Sequence, residues 1–324
     1  MLNPRPSSIS SVKPLRRLEL RRLTDRLAGR TIGVVTILST ALAPIIALVL
    51  FLRAKPLLDL TPLSRVLTSL VWRPLRGEFG LLPFLAGTLW VTMLAMILAV
   101  PVCLLAAIFL AEYAPRRLRQ PVRPLIDLLA GIPSVVYGLW GILAVVPFIR
   151  DVIVPRLGKA FAGIELLHAD NATGYGILAG GIVLAVMVFP VIISTTEEVL
   201  LAVPDGLRQA SLALGATRWQ MVKGVVLRRA SPGVIAAVVL GFSRAFGETM
   251  AVMMVVGNVA QIPHSIFDAG YPLAALIANN YGEMMSIPLY DSALLTAALV
   301  LLLVVLAFTL AARIALMRAV RRSI

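Results

Sequence analysis

Two ionisable residues stand out because of where they sit. Arg244 and Glu248 lie four residues apart in Gly241-Phe-Ser-Arg-Ala-Phe-Gly-Glu-Thr-Met-Ala251, inside an apolar run from Ala230 to Val256. On a helix, a spacing of i and i+4 puts both side chains on one face. Each such charge costs about 2.5–3.5 kcal/mol at the centre of a membrane-spanning helix, so these residues face a bundle interior and pair. Two chemistries fit. One is an intrahelical salt bridge that fixes packing. The other is a charged site on a polar permeation path: Arg244 attracts an anion, and Glu248 holds Arg244 when the path is empty.

A second constellation lies in the polar segment from Glu197 to Ser231, between two apolar runs. Pro204-Asp205 starts a helix, with Asp205 able to cap free amides. Leu207, Ala210, Ser211 and Leu214 then fall at i, i+3, i+4 and i+7 and make one small-to-apolar face. Gly215 suits the left-handed position that ends a helix. Thr217-Arg-Trp-Gln220 matches the capping box of a second helix, continued by Trp219, Val222 and Val226. Such a two-helix element either packs on its own membrane domain or is offered to a partner.

The rest of the chain is poor in chemistry. Its two histidines, His168 and His264, are far apart and fall in predicted loops, which argues against a His-based metal site. The single Cys103 lies in an apolar run, where a thiol packs and no internal disulfide can form. No Gly-x4-Gly-Lys-Ser/Thr phosphate loop occurs, so the chain is not its own conventional ATPase. No Ser/His/Asp arrangement is evident, and no enzymatic activity is expected.

Of the 324 residues, 59% are hydrophobic and only 14% are charged. With a mean hydropathy of +0.93, the chain reads as an all-α polytopic membrane protein. Six runs reach spanning length: Thr31–Leu52, Phe79–Ala111, Leu128–Val146, Tyr175–Thr196, Ala230–Val256 and Ser292–Ala312. Pro44, Pro101, Pro133 and Pro190 fall in or at the ends of these runs, where neighbouring helices and waters re-satisfy freed carbonyls. Of the 30 basic residues, 21 fall outside the runs on one face and 8 on the other. The positive-inside rule places both termini in the cytoplasm. The net charge of +14 therefore points to anionic membrane lipids. Nucleic acid is not an expected partner, because no aromatic–basic interleaving accompanies the charge.

Residues 1–12, rich in Ser and Pro, read as disordered. Residues 13–30 read as a basic amphipathic helix on the inner leaflet, with a partner-binding arm as the alternative. No cleavable signal peptide is expected, since about thirty mostly polar residues precede the first run. The outer segment Tyr271–Pro288 contains Pro272–Asn279, too short to span and suited to an interfacial or re-entrant helix. Residues 31–324 then form one transmembrane domain with the internal loop 197–231.

The loop resembles the "EAA" loop of ABC-importer permeases, E-A-A-x3-G-x9-I-x-L-P. Gln209, Ala210, Ser211, Gly215, Val225, Leu227 and Arg228 occupy those positions, with Gln209 in place of Glu, Ser211 in place of the second Ala and Arg228 in place of Pro. Arg244-Ala-Phe-Gly-Glu248-Thr-Met-Ala-Val looks like the fifth-helix signature of the phosphate ABC-importer permeases of the PstC type. Gly131-Ile-Pro-Ser-Val-Val-Tyr-Gly-Leu-Trp140 is similar to their third span. Leu110-Ala-Glu-Tyr-Ala-Pro115 and Ala274-Ala-Leu-Ile-Ala-Asn-Asn-Tyr-Gly-Glu283 extend the likeness. The resemblance implies a six-span MetI-like fold in a prokaryotic inner membrane. It implies alternating access, with Arg244 and Glu248 on the substrate pathway. Gln209, Ala210, Ser211, Gly215 and Arg218 would belong to the loop that couples to an ATPase. It also implies a PstA-type sister permease, two ATP-binding subunits and an extracytoplasmic phosphate-binding protein. No cofactor is expected on this chain; ATP and Mg would be used by the ATPase. Alternatives are a permease for another oxyanion, such as sulfate or molybdate, and a membrane-embedded lipid enzyme or scaffold.

Overall fold

The structure is a computed structural model that describes residues 13–156, 168, 173–283 and 286–322. The first twelve residues, expected to be disordered, lie outside the described residues. Among the described residues, six helical stretches are long and apolar enough to cross a membrane. They fall in two compact units, residues 1–52 and 53–324.

In the first unit, helix α1 (Lys13–Leu58) continues without a break from the basic segment into the first span. The expected surface helix and first span are thus one element. From Ile32 to Leu52 its large apolar side chains are exposed, as suits a lipid-facing helix.

The second unit opens with α2 (Leu63–Thr68) and a two-residue antiparallel ladder, β1 (Trp72–Arg73) with β2 (Glu78–Phe79), in the register Trp72↔Phe79. Gly77, at φ 70°, turns the chain between them. Trp72, Phe79, Phe84 and Tyr290 form one aromatic cluster, in which Trp72 meets Phe79 and Phe84 edge-to-face and Tyr290 packs tilted against Trp72 and Phe79, anchoring the ladder.

Helix α3 (Leu82–Ile108) continues through a π turn, Phe109–Tyr113. Ala95, Ala99, Cys103 and Ala107 recur every four residues along it, and all are fully buried. Their small size lets α3 approach α7 (Ile177–Leu201) closely, which is how membrane helices gain packing without a hydrophobic drive. The Cys103 thiol packs here, with Sγ 3.9 Å from the Phe189 carbonyl.

The third span departs from expectation. Residues Leu128–Gly131, read as its beginning, close the amphipathic helix α4 (Arg116–Gly131) instead. Pro133 disfavours a helical Ile132, which sits extended at ψ 129°, so the chain leaves the helix there. The span restarts at α5 (Ser134–Trp140) and runs through α6 (Val146–Phe148) and two π turns to Arg156. The Arg150–Asp151 ion pair, 2.7 Å, neutralises the two charges near its end.

After α7 comes α8 (Asp205–Ala213), then α9 (Arg218–Met221), a π turn at Val222–Val226 and α10 (Leu227–Phe246). The second helix of the loop is therefore the start of the fifth span. That span runs over Arg218–Phe246, displaced from the expected Ala230–Val256. The one-turn helix α11 (Met250–Met253) follows a break. Helix α10 crosses α7 at glycines. A Cβ on Gly241 would stand 2.5 Å from Ile192 Cγ1, so any larger residue there would have to push the Ile192 side chain aside. The outer segment contains α12 (Leu273–Asn280), whose first turn is buried and whose Leu273 amide donates to Thr88 Oγ1 at 2.8 Å. The last helix is α13 (Tyr290–Arg322).

Candidate functional site

The expected loop Glu197–Ser231 is shorter in the fold, because α7 runs on to Leu201 and the fifth span begins at Arg218; between them the chain folds as its local sequence dictates except at Asp205. Asp205 does not cap α8; Pro204 occupies the cap position, and the Asp205 carboxylate instead accepts from Arg208 Nη1 at 3.1 Å. Pro204, at φ −59° and ψ 135°, is extended and takes the cap position, which leaves Asp205 already inside the helix. Gly215 adopts φ 84°, the left-handed closing position. Around it the Ala216 amide reaches back to the Ser211 carbonyl and the Gly215 amide to Leu212, as in a Schellman closure. Thr217 and Gln220 form the reciprocal capping box. None of the residues of α8 is buried. Leu207, Leu212, Leu214 and Trp219 present apolar surface, Leu214 at 90% exposure. Gln209 and Ala210 are exposed beside them, and Ser211 is half-buried.

Beneath this surface lies a charged lattice that the sequence reading did not assign. The Glu112 side chain is 5% exposed and receives Arg208 Nη2 at 2.9 Å; the Arg208 side chain is itself 13% exposed. Arg208 also donates to the carbonyls of Leu200, at 2.7 Å, and Val203. Arg218 donates to the Glu112 carbonyl and lies 4.8 Å above the Tyr113 ring. Arg119 donates to the carbonyls of Leu110 and Ala111. Glu197, with its side chain 1% exposed, sits between Arg119 at 3.6 Å and Arg123 at 3.3 Å. The arrangement follows from helix ends. The last carbonyls of α3 and α7 lack intrahelical donors and carry the negative end of the helix dipole, which guanidinium groups satisfy. The signal in the sequence was a lone Glu112 at the end of an apolar run, next to a basic segment.

The pair Arg244 and Glu248 does not have the expected geometry. Helix α10 ends at Phe246, so the i, i+4 rule no longer applies across Gly247. Among the described residues, no ion pair joins Arg244 to Glu248 or to another carboxylate. Arg244 is exposed. Glu248 is half-buried, and its Oε1 accepts the Ala251 amide at 3.2 Å, which holds the first turn of α11 although Thr249 occupies the cap position. Non-helical backbone at membrane depth persists only where protein covers it or a water-filled cavity adjoins it.

Beyond α11 the chain turns at Gly257, φ 90°, and Asn258, φ 53°. A cavity of about 850 Å³ opens there, lined by Met253, Met254, Asn258, Gln261, His264 and Asp268 among others. Asp268 holds its wall by accepting the amides of His264 and Ser265, both at 2.9 Å.

Residues 103–322 match the family described as the binding-protein-dependent transport system inner membrane component. The chain is 42% identical to the phosphate transport system permease protein PstC of Xylella fastidiosa (strain 9a5c), over 78% of this chain and 79% of that one. It is 35% identical to the protein of the same description from Mesorhizobium japonicum, over 96% of each chain. It is 37% identical to the probable ABC transporter permease protein YqgH of Bacillus subtilis (strain 168), over 97% of each chain. Among solved structures it is similar to a permease chain of the MetNI methionine ABC transporter. There the TM-score is 0.53 at 22% identity, covering 72% of this chain and 93% of that one. That likeness bears on the fold, and the all-α, six-span MetI-like architecture expected from the sequence is the one found.

Proposed function

The chain belongs to the family of binding-protein-dependent transport system inner membrane components, and on that premise we propose that it is the permease subunit of an ATP-driven importer of inorganic phosphate. The observation that carries the substrate reading is the 35% identity, over 96% of both chains, to a protein described as a phosphate transport permease. The site supports it. An arginine with no carboxylate partner among the described residues, next to a broken helix, suits an anion that must bind and leave. In this reading Arg244 draws the anion, and Glu248 holds the turn that presents the path.

The face Leu207–Leu214, closed by Gly215 and carried into α9 by Arg218, docks an ATP-binding subunit. Gln209, Ala210 and Ser211 lie at the centre of that contact. Two such subunits, which use ATP and Mg, work with a PstA-type sister permease and an extracytoplasmic phosphate-binding protein. Residues 197–231 act as the coupling loop of a transmembrane domain spanning 31–324, in a prokaryotic inner membrane with both termini in the cytoplasm. The 21 basic residues on the loop's own face support that orientation. ATP drives the cycle because the ATP-bound partner binds one permease state more tightly than the other.

The test is uptake of radiolabelled phosphate by the four-protein complex in proteoliposomes, with sulfate and molybdate as competitors. ATP-dependent phosphate entry resistant to both competitors is expected. ATP-dependent entry of sulfate or molybdate in preference to phosphate would reassign the substrate.

A further inference from the structure

We propose that Arg208 is a positioning residue that carries movement of the docking helix α8 into the second and fourth spans, with Glu112 as its anchor. The proposal rests on the docking role of α8 proposed above.

Helix α8 buries none of its own residues, so side-chain packing is a weak mechanical link between it and the bundle. Among the described residues, the side-chain hydrogen bonds that tie it to the bundle come from Arg208. While Leu207, Leu212 and Leu214 are exposed, Arg208 is largely covered. Its Nη2 reaches both Glu112 Oε1, at 2.9 Å, and the Leu200 carbonyl, at 2.7 Å. Its Nε adds Glu112 Oε1 at 3.2 Å, and its Nη1 reaches the Val203 carbonyl and Asp205. The partners thus lie at the end of α3, at the end of α7 and just after it. A guanidinium is a rigid planar fork. With all three of its nitrogens engaged, a displacement of α8 must either move those helix ends or break the bonds.

The other end of the loop converges on the same point. Arg218, at the start of α9, donates to the Glu112 carbonyl and stacks over Tyr113. Glu112 and Tyr113 lie in the π turn that ends the second span, where the backbone is already released from regular helix bonding. The two arms of the loop are therefore held by one dipeptide, and a shift of α8 is read at the end of α3 rather than lost in the loop.

The experiment compares Arg208→Lys, Glu112→Gln and the double variant in the reconstituted complex. Three quantities are read: ATPase capture, thermal stability, and substrate transported per ATP hydrolysed. Lysine keeps the charge but cannot hold three partners in one plane. Glutamine keeps an acceptor but loses the charge-assisted bond. ATPase capture is expected to stay within about twofold, because the exposed docking face is untouched. Transport per ATP is expected to fall about tenfold in each single variant. The double variant should fall no further than the singles, because both remove one link. A loss of stability or capture with transport per ATP unchanged would make the lattice merely structural and overturn the proposal. So would additive losses in the double variant. The ratio is read with whichever oxyanion the wild-type complex carries, so reassignment of the substrate leaves this test intact.

Discussion

The molecule places arginine and glutamate in two regions and treats them in opposite ways. At the loop end, Glu112 and Glu197 are buried and surrounded by Arg208, Arg119 and Arg123, with Arg218 on the adjoining backbone. At the break after α10, Arg244 is exposed and Glu248 spends its carboxylate on a backbone amide. Along the helix the two regions are far apart: 26 residues from Arg218 to Arg244 correspond to about 39 Å at 1.5 Å per residue. The difference is instructive because burying a charge costs several kcal/mol unless partners are well placed. Glu112, with its partners in place, holds one geometry, whereas Glu197 Oε1 has Arg119 only at 3.6 Å. A guanidinium without a carboxylate has affinity left for a passing anion.

Arg244→Gln removes the guanidinium at the break. If the arginine serves an anion rather than the fold, uptake should fall about a hundredfold, or roughly 3 kcal/mol of lost charge contact, while assembly and melting temperature hold. Wild-type uptake by this variant would leave Arg244 without a part in transport. Glu197→Gln tests the opposite end. It leaves Arg119 and Arg123 without their carboxylate, and both are partly solvated, so the cost is about 1–3 kcal/mol rather than that of a fully buried pair. A melting temperature lower by several degrees is expected in differential scanning fluorimetry, with uptake per folded complex close to wild type. An unchanged melting temperature would mean that the 3.3 and 3.6 Å contacts contribute nothing.

How far these regions could be read from sequence differs for physical reasons. The loop was legible because its signals are local. The Gly215 turn, the Thr217–Gln220 box and the outward apolar face need only neighbours in sequence. The lattice was not legible. Glu112 and Arg208 are 96 residues apart, and Arg123 and Glu197 are 74 apart. In the charge count, Arg119, Arg123, Arg208 and Arg218 were simply basic residues on one face; in the fold they serve helix ends. Arg244 and Glu248 failed in another way. The i, i+4 rule assumed a helix through Gly247, and apolar composition over Ala230–Val256 carries no sign of where backbone bonding stops. The third span was misplaced for a similar reason: hydropathy ran on across Ile132-Pro133, where the backbone turns.

Smaller effects sharpen the contrast between the docking face and the lattice below it. Leu214→Asp changes a side chain that touches little within the chain, so stability should shift by less than about 0.5 kcal/mol. Capture of the ATPase should weaken about tenfold as an apolar anchor is lost. Gly215→Val places a branched residue at φ 84°, a backbone strain of about 1–2 kcal/mol. A Cβ there meets nothing within 4 Å, so the whole effect is on the turn. Uptake should drop several-fold with ATPase capture reduced, and normal capture with normal uptake would remove the loop from coupling.

The finest distinction concerns Glu248. Its Oε1 accepts the Ala251 amide at 3.2 Å, a bond that an amide oxygen can also make. If its work is to hold α11 across the break, Glu248→Gln should keep uptake within about threefold of wild type, and Glu248→Ala should cost about 1 kcal/mol more through the lost hydrogen bond. If the glutamine variant is instead as damaging as Arg244→Gln, the negative charge itself acts on the path, and the two residues work as a pair across the break at Gly247. Uptake measured for the three variants side by side separates a hydrogen-bond acceptor from a counter-charge, because only the alanine removes the acceptor and only the glutamine isolates the charge.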